Sequence, residues 1–291
     1  MAKMTLWLLA LLIMISAIIY QRTTGPTYPF RGTIEASGIE YSYRLLRSQE
    51  TVSGAKISLP DVKAENYSAT LHYKRFKTKD EFTAAPMNWE TPKDSMRELV
   101  AALPVQPSAG KMEYYLTVNL EGADLRIPEA GQENIVLRYK DPVPSWILIP
   151  HIFMMFFSVL FGMRTGLAAI FKTDDMRKLA FITLGGMTFG GMILGPIVQK
   201  FAFGEYWTGF PFGGDLTDNK MLIMWVSWLV AVAVIGTRPR KKEGISRTVV
   251  ICAAMIMTAV YLIPHSMRGS ELDYTKVDQG IAPEKAIGTG D

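Results

Sequence analysis

The sequence predicts two structural classes in one chain: a membrane α-helical bundle of five spans and an all-β sandwich domain. Three observations carry this. Residues 4–20, 145–163, 179–198, 221–237 and 248–264 contain no Asp, Glu, Lys or Arg. Between the first two of these stretches, apolar and polar side chains alternate with a period of two. The short connections between the later stretches differ sharply in basic content. Over 291 residues the composition is 49% hydrophobic and 20% charged, with a single cysteine, Cys252, inside an apolar run. Such a chain is not disordered, collagen-like or disulfide-stapled, and it has no CxxC pair for redox or zinc chemistry. The net charge of +4 is sorted along the chain rather than gathered in one patch, so no nucleic-acid partner is expected.

The five apolar stretches set the membrane layout. A bilayer core of ~30 Å is crossed by about 17 to 25 helical residues, with every backbone group bonded internally. Lys and Arg are retained on the cytoplasmic side. The connection 164–178 carries Arg164, Lys172, Arg177 and Lys178, and 238–247 carries Arg238, Arg240, Lys241, Lys242 and Arg247. The connection 199–220 carries only Lys200 and Lys220. With Lys3 before the first span, the N-terminus is expected in the cytoplasm, and residues 21–144 and the C-terminal tail outside. Residues 1–21 read as an uncleaved anchor or a signal peptide. The lone lysine and the lack of an A-x-A site before Gln21 favour the anchor.

The outer domain, 22–144, reads as half-buried strands. In 111–120, Met112, Tyr114, Leu116, Val118 and Leu120 alternate with Lys111, Glu113, Tyr115, Thr117 and Asn119. Tyr67, Ala69, Leu71 and Tyr73 do the same, and weaker copies lie at 32–37, 40–46, 55–59, 96–103 and 134–140. About seven short strands in such a length suggest an immunoglobulin-like sandwich. His72 falls among the polar side chains of its strand and reads as a solvated surface residue. The Asn66-Tyr67-Ser68 triplet fits a glycosylation pattern but begins a strand, and it is discounted. Pro142 and Pro144 form a stiff joint into the second span.

The stretch Leu103-Pro104-Val105-Gln106-Pro107-Ser108-Ala109-Gly110-Lys111-Met112-Glu113-Tyr114-Tyr115 resembles a strand-turn-strand element of bacterial fibronectin-III and early-set domains. That resemblance implies an immunoglobulin-like fold that binds or spaces things, with no catalytic residue, on the periplasmic side of a bacterial inner membrane. The architecture is also similar to that of copper-uptake proteins joining a sandwich to a helical domain. Those place copper ligands near the start of the sandwich, where this sequence has none beyond His72.

The spans of 145–264 hold the remaining candidates. They contain no Asp, Glu, Lys or Arg and no inverted repeats of broken helices, which argues against a secondary transporter. Gly186 with Gly190, and Gly191 with Gly195, are four apart and favour close helix packing, either against a partner subunit or against the chain's own helices. His151 shares a helix face with Met154 and Met155, and His265 lies just past the last span, so copper or haem b could be held at the outer face. The two histidines are poorly matched in depth, however. His151 lies six residues inside its span, ~9 Å at a helical rise, so packed or interfacial histidines are the competing reading.

The loop 199–220 has unusual composition: Phe201, Phe203, Tyr206, Trp207, Phe210 and Phe212, broken by Gly204, Gly209, Pro211, Gly213 and Gly214. Aromatics of this kind favour the lipid-water interface. Glu205, Tyr206 and Trp207 are candidate contacts for a partner. Asp215, Thr217, Asp218 and Asn219 supply oxygens suited to a hard cation, a helix cap or a partner contact. No GxSxG, Walker, HExxH or GxGxxG pattern stands in a suitable context, so catalysis is not expected. The sequence therefore suggests a non-enzymatic inner-membrane protein that presents the sandwich and the aromatic loop to a protein partner or to further copies of itself. The tail, 265–291, mixes Gly, Pro and both charges without a period and is expected to be flexible, disordered or in loose contact.

Overall fold

The computed structural model describes residues 3–64, 66–91, 93, 96–238, 243–265 and 267–288. Arg240, Lys241 and Lys242 of the basic connection, and the terminal Asp291, lie outside the described residues. The chain divides into a helical unit (residues 1–26 and 143–269, with 291) and a β unit (residues 27–142 and 270–290).

In the helical unit, α1 spans Lys3–Thr24, α2 Ser145–Ile170, α3 Met176–Met187, α4 Gly195–Phe203, α5 Leu216–Ile235 and α6 Glu243–Leu262. A π-helical segment, Thr188–Leu194, joins α3 to α4 without a break. Five helical stretches, Lys3–Thr24, Ser145–Ile170, Met176–Phe203, Leu216–Ile235 and Glu243–Leu262, are long and apolar enough to cross a membrane. Their shared core includes Met14, Val159, Met163, Met187, Trp228 and Met257. The wide turn has an identifiable cause. Pro196 near the start of α4 has no N–H to give, so the preceding turn loses its regular bond. The Gly190 carbonyl, which accepts the Gly195 N–H within the wide turn, also meets the ring of His151 on α2, whose Nδ1 lies 2.9 Å away.

The glycine stripe is used inside the unit. A Cβ at Gly190 would lie 2.7 Å from that of Met154, and at Gly186 and Gly191 it would collide with Ser158 Oγ and Met221 Sδ. Gly195 faces the His151 ring at 3.7 Å. Of the two packing readings, three of these glycines thus serve contact with α2 and α5 of the same chain.

Helix ends sort into two groups. At one end Lys3 pairs with Asp174 at 2.9 Å, Arg177 with Glu243 at 2.8 Å, and Arg247 donates to the Ala168 carbonyl at 3.1 Å. Arg164, 0% exposed, reaches Asp175 at 2.8 Å and lies over the Trp7 ring. The other end gathers the close of α1, α4 and α6 and the start of α5. The helices run past the apolar stretches read from sequence, so Arg164 lies within α2, and Asp218 and Lys220 lie within α5. Asp215 caps α5 several residues before its apolar run begins, in keeping with the helix-cap reading of that stretch.

In the β unit the strands are β1 Phe30–Ala36, β2 Ile39–Leu45, β3 Ser48–Glu50, β4 Ala55–Pro60, β5 Ser68–Arg75, β6 Thr83–Pro86, β7 Asn88–Glu90, β8 Glu98–Leu103, β9 Lys111–Leu120, β10 Ala123–Ile127 and β11 Ile135–Lys140. They form a hairpin β1-β2, a three-stranded sheet β4-β8-β7 and a six-stranded sheet β3-β11-β9-β5-β6, with β10 also on β9. One edge of β9 is shared: its first half pairs with β11 and its second half with β10. Met112, Tyr114, Leu116, Val118 and Leu120 are buried, as the alternation requires, in a cluster that also takes Ile34, Ile57, Leu71 and Leu99 from the other strands. Two hairpins close through two-residue turns with positive φ at both positions, Ser37-Gly38 and Glu121-Gly122, whose twist suits antiparallel strands.

The tail departs from the flexible segment expected. It forms β12 Glu271–Leu272, α7 Tyr274–Asp278, a 3-10 turn Pro283–Lys285 and β13 Ile287–Gly288. Leu272, Tyr274 and Ala286 bury in a small cluster of their own. A period is missing because the contacts come from single residues in short turns rather than from one face of a long element.

Candidate functional site

The candidate loop is built around the first turns of α5. Asp215 caps the helix, its Oδ1 accepting the N–H of Thr217 at 2.7 Å and of Asp218 at 3.4 Å. Its Oδ2 takes the Thr208 hydroxyl at 3.0 Å. Asp218, one turn in, points back along the loop. Its Oδ2 accepts the N–H of Thr208 at 2.6 Å, the N–H of Gly209 at 3.0 Å and the Gln199 amide at 3.1 Å. Asn219 Oδ1 accepts the Phe210 N–H at 2.7 Å. A glycine-rich loop has few side chains with which to hold itself, and here the helix start supplies the acceptors that its N–H groups need.

The consequence is a fixed display. Phe210 is 68% exposed and Phe212 81%, with Tyr206 also exposed, while the carboxylates that hold the loop are buried. The Trp207 indole donates to the Phe210 carbonyl at 3.0 Å, and Lys200 Nζ lies over the Tyr206 ring. Glu205 is exposed on the same loop.

Lys220, 4% exposed, ties this loop to the end of α6. Its Nζ donates to the carbonyls of Ile263 and Pro264 at 2.6 and 3.2 Å and lies 3.1 Å from His265 Nδ1. Cations at a helix C-terminus satisfy carbonyls that the helix leaves open. Gln21 at the end of α1 donates to the Tyr261 carbonyl at 2.8 Å and approaches the same His265 nitrogen at 3.5 Å. His265 keeps part of its surface open to solvent, yet the packing around its ring, followed by the Lys220 ammonium, lowers its pKa.

These bonds define what the histidines offer. An ammonium donating to Nδ1 of His265 occupies that lone pair, so the neutral ring carries its proton on Nε2 and presents no free lone pair there. At His151 the partner is a carbonyl, so Nδ1 carries the proton and Nε2 keeps its lone pair. Met154 contacts Gly190, and Met155 packs against the helical core. Among the described residues no group of three or more His, Cys, Asp or Glu side chains is placed to hold a metal.

The four oxygen-bearing positions read from sequence therefore fall into distinct roles. Asp215 caps the helix, Asp218 and Asn219 anchor the loop, and Thr217 contributes a backbone N–H. Sequence reasoning missed Gln199, Thr208, Lys220 and Gln21. The Asp215-to-Asp218 spacing was a visible helix-start signal that would have put Lys220 inside the helix rather than in a loop. Comparison with known protein families and with curated proteins finds no match for this chain.

Proposed function

We propose that this chain is a non-enzymatic, multi-pass protein of the bacterial inner membrane, an interaction or accessory subunit whose periplasmic surface meets a protein partner. In this reading the N-terminus is cytoplasmic, and the β unit is an immunoglobulin-like domain on the periplasmic side together with the aromatic loop. The sorting of the helix ends supports the orientation. Lys3, Arg164, Arg177 and Arg247 lie at one end, with Lys172 and Lys178 in the same connection, while the opposite end carries Arg22, Lys200 and Lys220.

The observation that carries the reading is the pinned loop. Large apolar side chains held in solvent by buried carboxylates lose hydration energy unless they meet lipid or protein, and Phe210 and Phe212 are held so. Purification from membranes in mild detergent is expected to return a stable partner, and Phe210→Ser with Phe212→Ser should release it. Recovery of the protein alone, together with unchanged neighbouring complexes in its deletion strain, would overturn the proposal. A second reading, copper or haem b at the outer face, rests on His151 alone, whose Nε2 keeps its lone pair, since Lys220 occupies Nδ1 of His265. A Soret band or stoichiometric copper in the purified protein would establish it.

A further inference from the structure

The tail rests on the β unit in a way that gives a partner a chemistry. Glu271 bridges two cations, accepting from Lys77 at 2.9 Å and from Lys111. Asp278 is gripped by both terminal nitrogens of Arg75, at 2.7 and 3.0 Å, while the same guanidinium holds Asp80. Tyr274 is buried between them, its hydroxyl donating to Gln106 Oε1 and the Lys111 carbonyl at 3.0 Å each, with Arg75 lying over its ring. Arg138 donates to the Ser270 carbonyl at 2.6 Å. Tyr274 and Asp278 are four apart and share a face of α7.

Two features make this a cleft with an occupant rather than a continuation of the sheet. The tail pairs mainly with itself, β12 bonding to β13 and the Asp273 N–H to the Ala286 carbonyl, with a backbone bond, Leu272 N–H to the Ala109 carbonyl at 3.1 Å, to the rest of the β unit. Its apolar cluster is separate from the main core of the β unit. Beneath it, burial lowers the Lys111 pKa, the bond to Glu271 opposes that, and the charges of Arg138 and Lys77 add to the lowering. Glu271 is the anion that meets these cations.

We infer that the cleft lined by Arg75, Lys77, Gln106, Lys111 and Arg138 is a docking site for an acidic, tyrosine-bearing segment of a partner protein, with residues 270–288 as its resident, competing occupant. The inference deepens the partner reading above and rests on it for the existence of a partner. Its test uses a synthetic peptide, so its failure leaves the co-purification result untouched.

The probe is a fluorescent peptide of residues 270–288, titrated against the full-length protein in detergent. The wild-type tail competes from within the chain at a high effective concentration. Glu271→Gln with Asp278→Asn weakens that competitor, and the peptide is expected to bind this variant about tenfold tighter than wild type. Adding Lys111→Met should abolish the gain. Equal binding by wild type and the double variant, indifference to Lys111→Met, or self-association through exchanged tails in place of peptide capture would each overturn the inference. Should the double variant fail to fold, hydrogen exchange on the wild type decides. At ~0.5 M salt, where exposed ion pairs are screened, residues 270–288 should exchange about tenfold faster than in dilute buffer with β9 unchanged. Tail protection equal to that of β9 at both salt concentrations would overturn it.

Discussion

The carboxylates at the start of α5 and those of the C-terminal tail both hold a short segment in place, by different means. Asp218 is buried and satisfied chiefly by backbone N–H groups, which neither titrate nor move far. Asp278 is half-exposed and satisfied by the side chain of Arg75, an ion pair that salt can screen. The difference teaches where rigidity and release belong in this molecule. The loop is held mainly through its own backbone N–H groups, whereas the tail adds to a backbone bond, Leu272 N–H to the Ala109 carbonyl, a set of side-chain ion pairs.

The contrast is most exposed at Asp218. Asp218→Ala leaves the N–H groups of Thr208 and Gly209 without their acceptor in a buried site, an expected loss of about 3 kcal/mol. Thermal unfolding of the detergent-solubilised protein measures it, and Asp218→Asn, which keeps one acceptor oxygen, should lose less. If the alanine variant unfolds like wild type, the buried anchor is a fiction. Next in size is Lys220→Met, expected to cost about 2 kcal/mol by stranding the carbonyls of Ile263 and Pro264. That loss should be the same in low and high salt, because a buried contact is poorly screened.

The tail should respond to pH through Glu271. Burial alone would raise the Glu271 pKa, but hydrogen bonds from Lys111 and Lys77 outweigh it and hold the carboxyl below its ordinary 4.5. A carboxylate whose folded pKa is depressed stabilises the docked state above its unfolded value, and that stability is lost as pH falls through the folded one. Limited proteolysis within 270–288 should therefore accelerate below about pH 4.5, and Glu271→Gln should flatten the profile while weakening the tail at neutral pH. The smallest effect is at the Glu121-Gly122 turn. Gly122 has φ of 87°, and Gly122→Ala should cost about 1 kcal/mol in the β unit alone.

The two units were also unequally legible. Long periodic elements declared themselves: β9 alternates over its whole length, and each long apolar helix contains an uncharged run. Strands of three or four residues such as β3, β6 and β7 hold too few side chains for a period, and they exist because neighbours pair with them. The β10 strand had a signal that went unused, since Glu121-Gly122 is a two-residue hairpin turn following a clear strand. At the site, Asp215 and Asp218 were visible as a helix start, whereas Gln21 and His265 meet only because helices far apart in sequence end together. The tail's ion pairs, Arg75 with Asp278 above all, join residues so distant along the chain that no local pattern encodes them.

The wide turn at Thr188–Leu194 has one more consequence. A π turn takes up about one residue more than an α turn, and each residue advances a helix by about 100° of azimuth. Everything downstream is therefore rephased by that amount, including Gln199, whose amide meets the Asp218 carboxylate only at its present bearing. Removing a single residue from the turn would swing this glutamine to another side of its helix. One surplus amino acid at mid-helix thereby sets the compass for a contact more than a turn away.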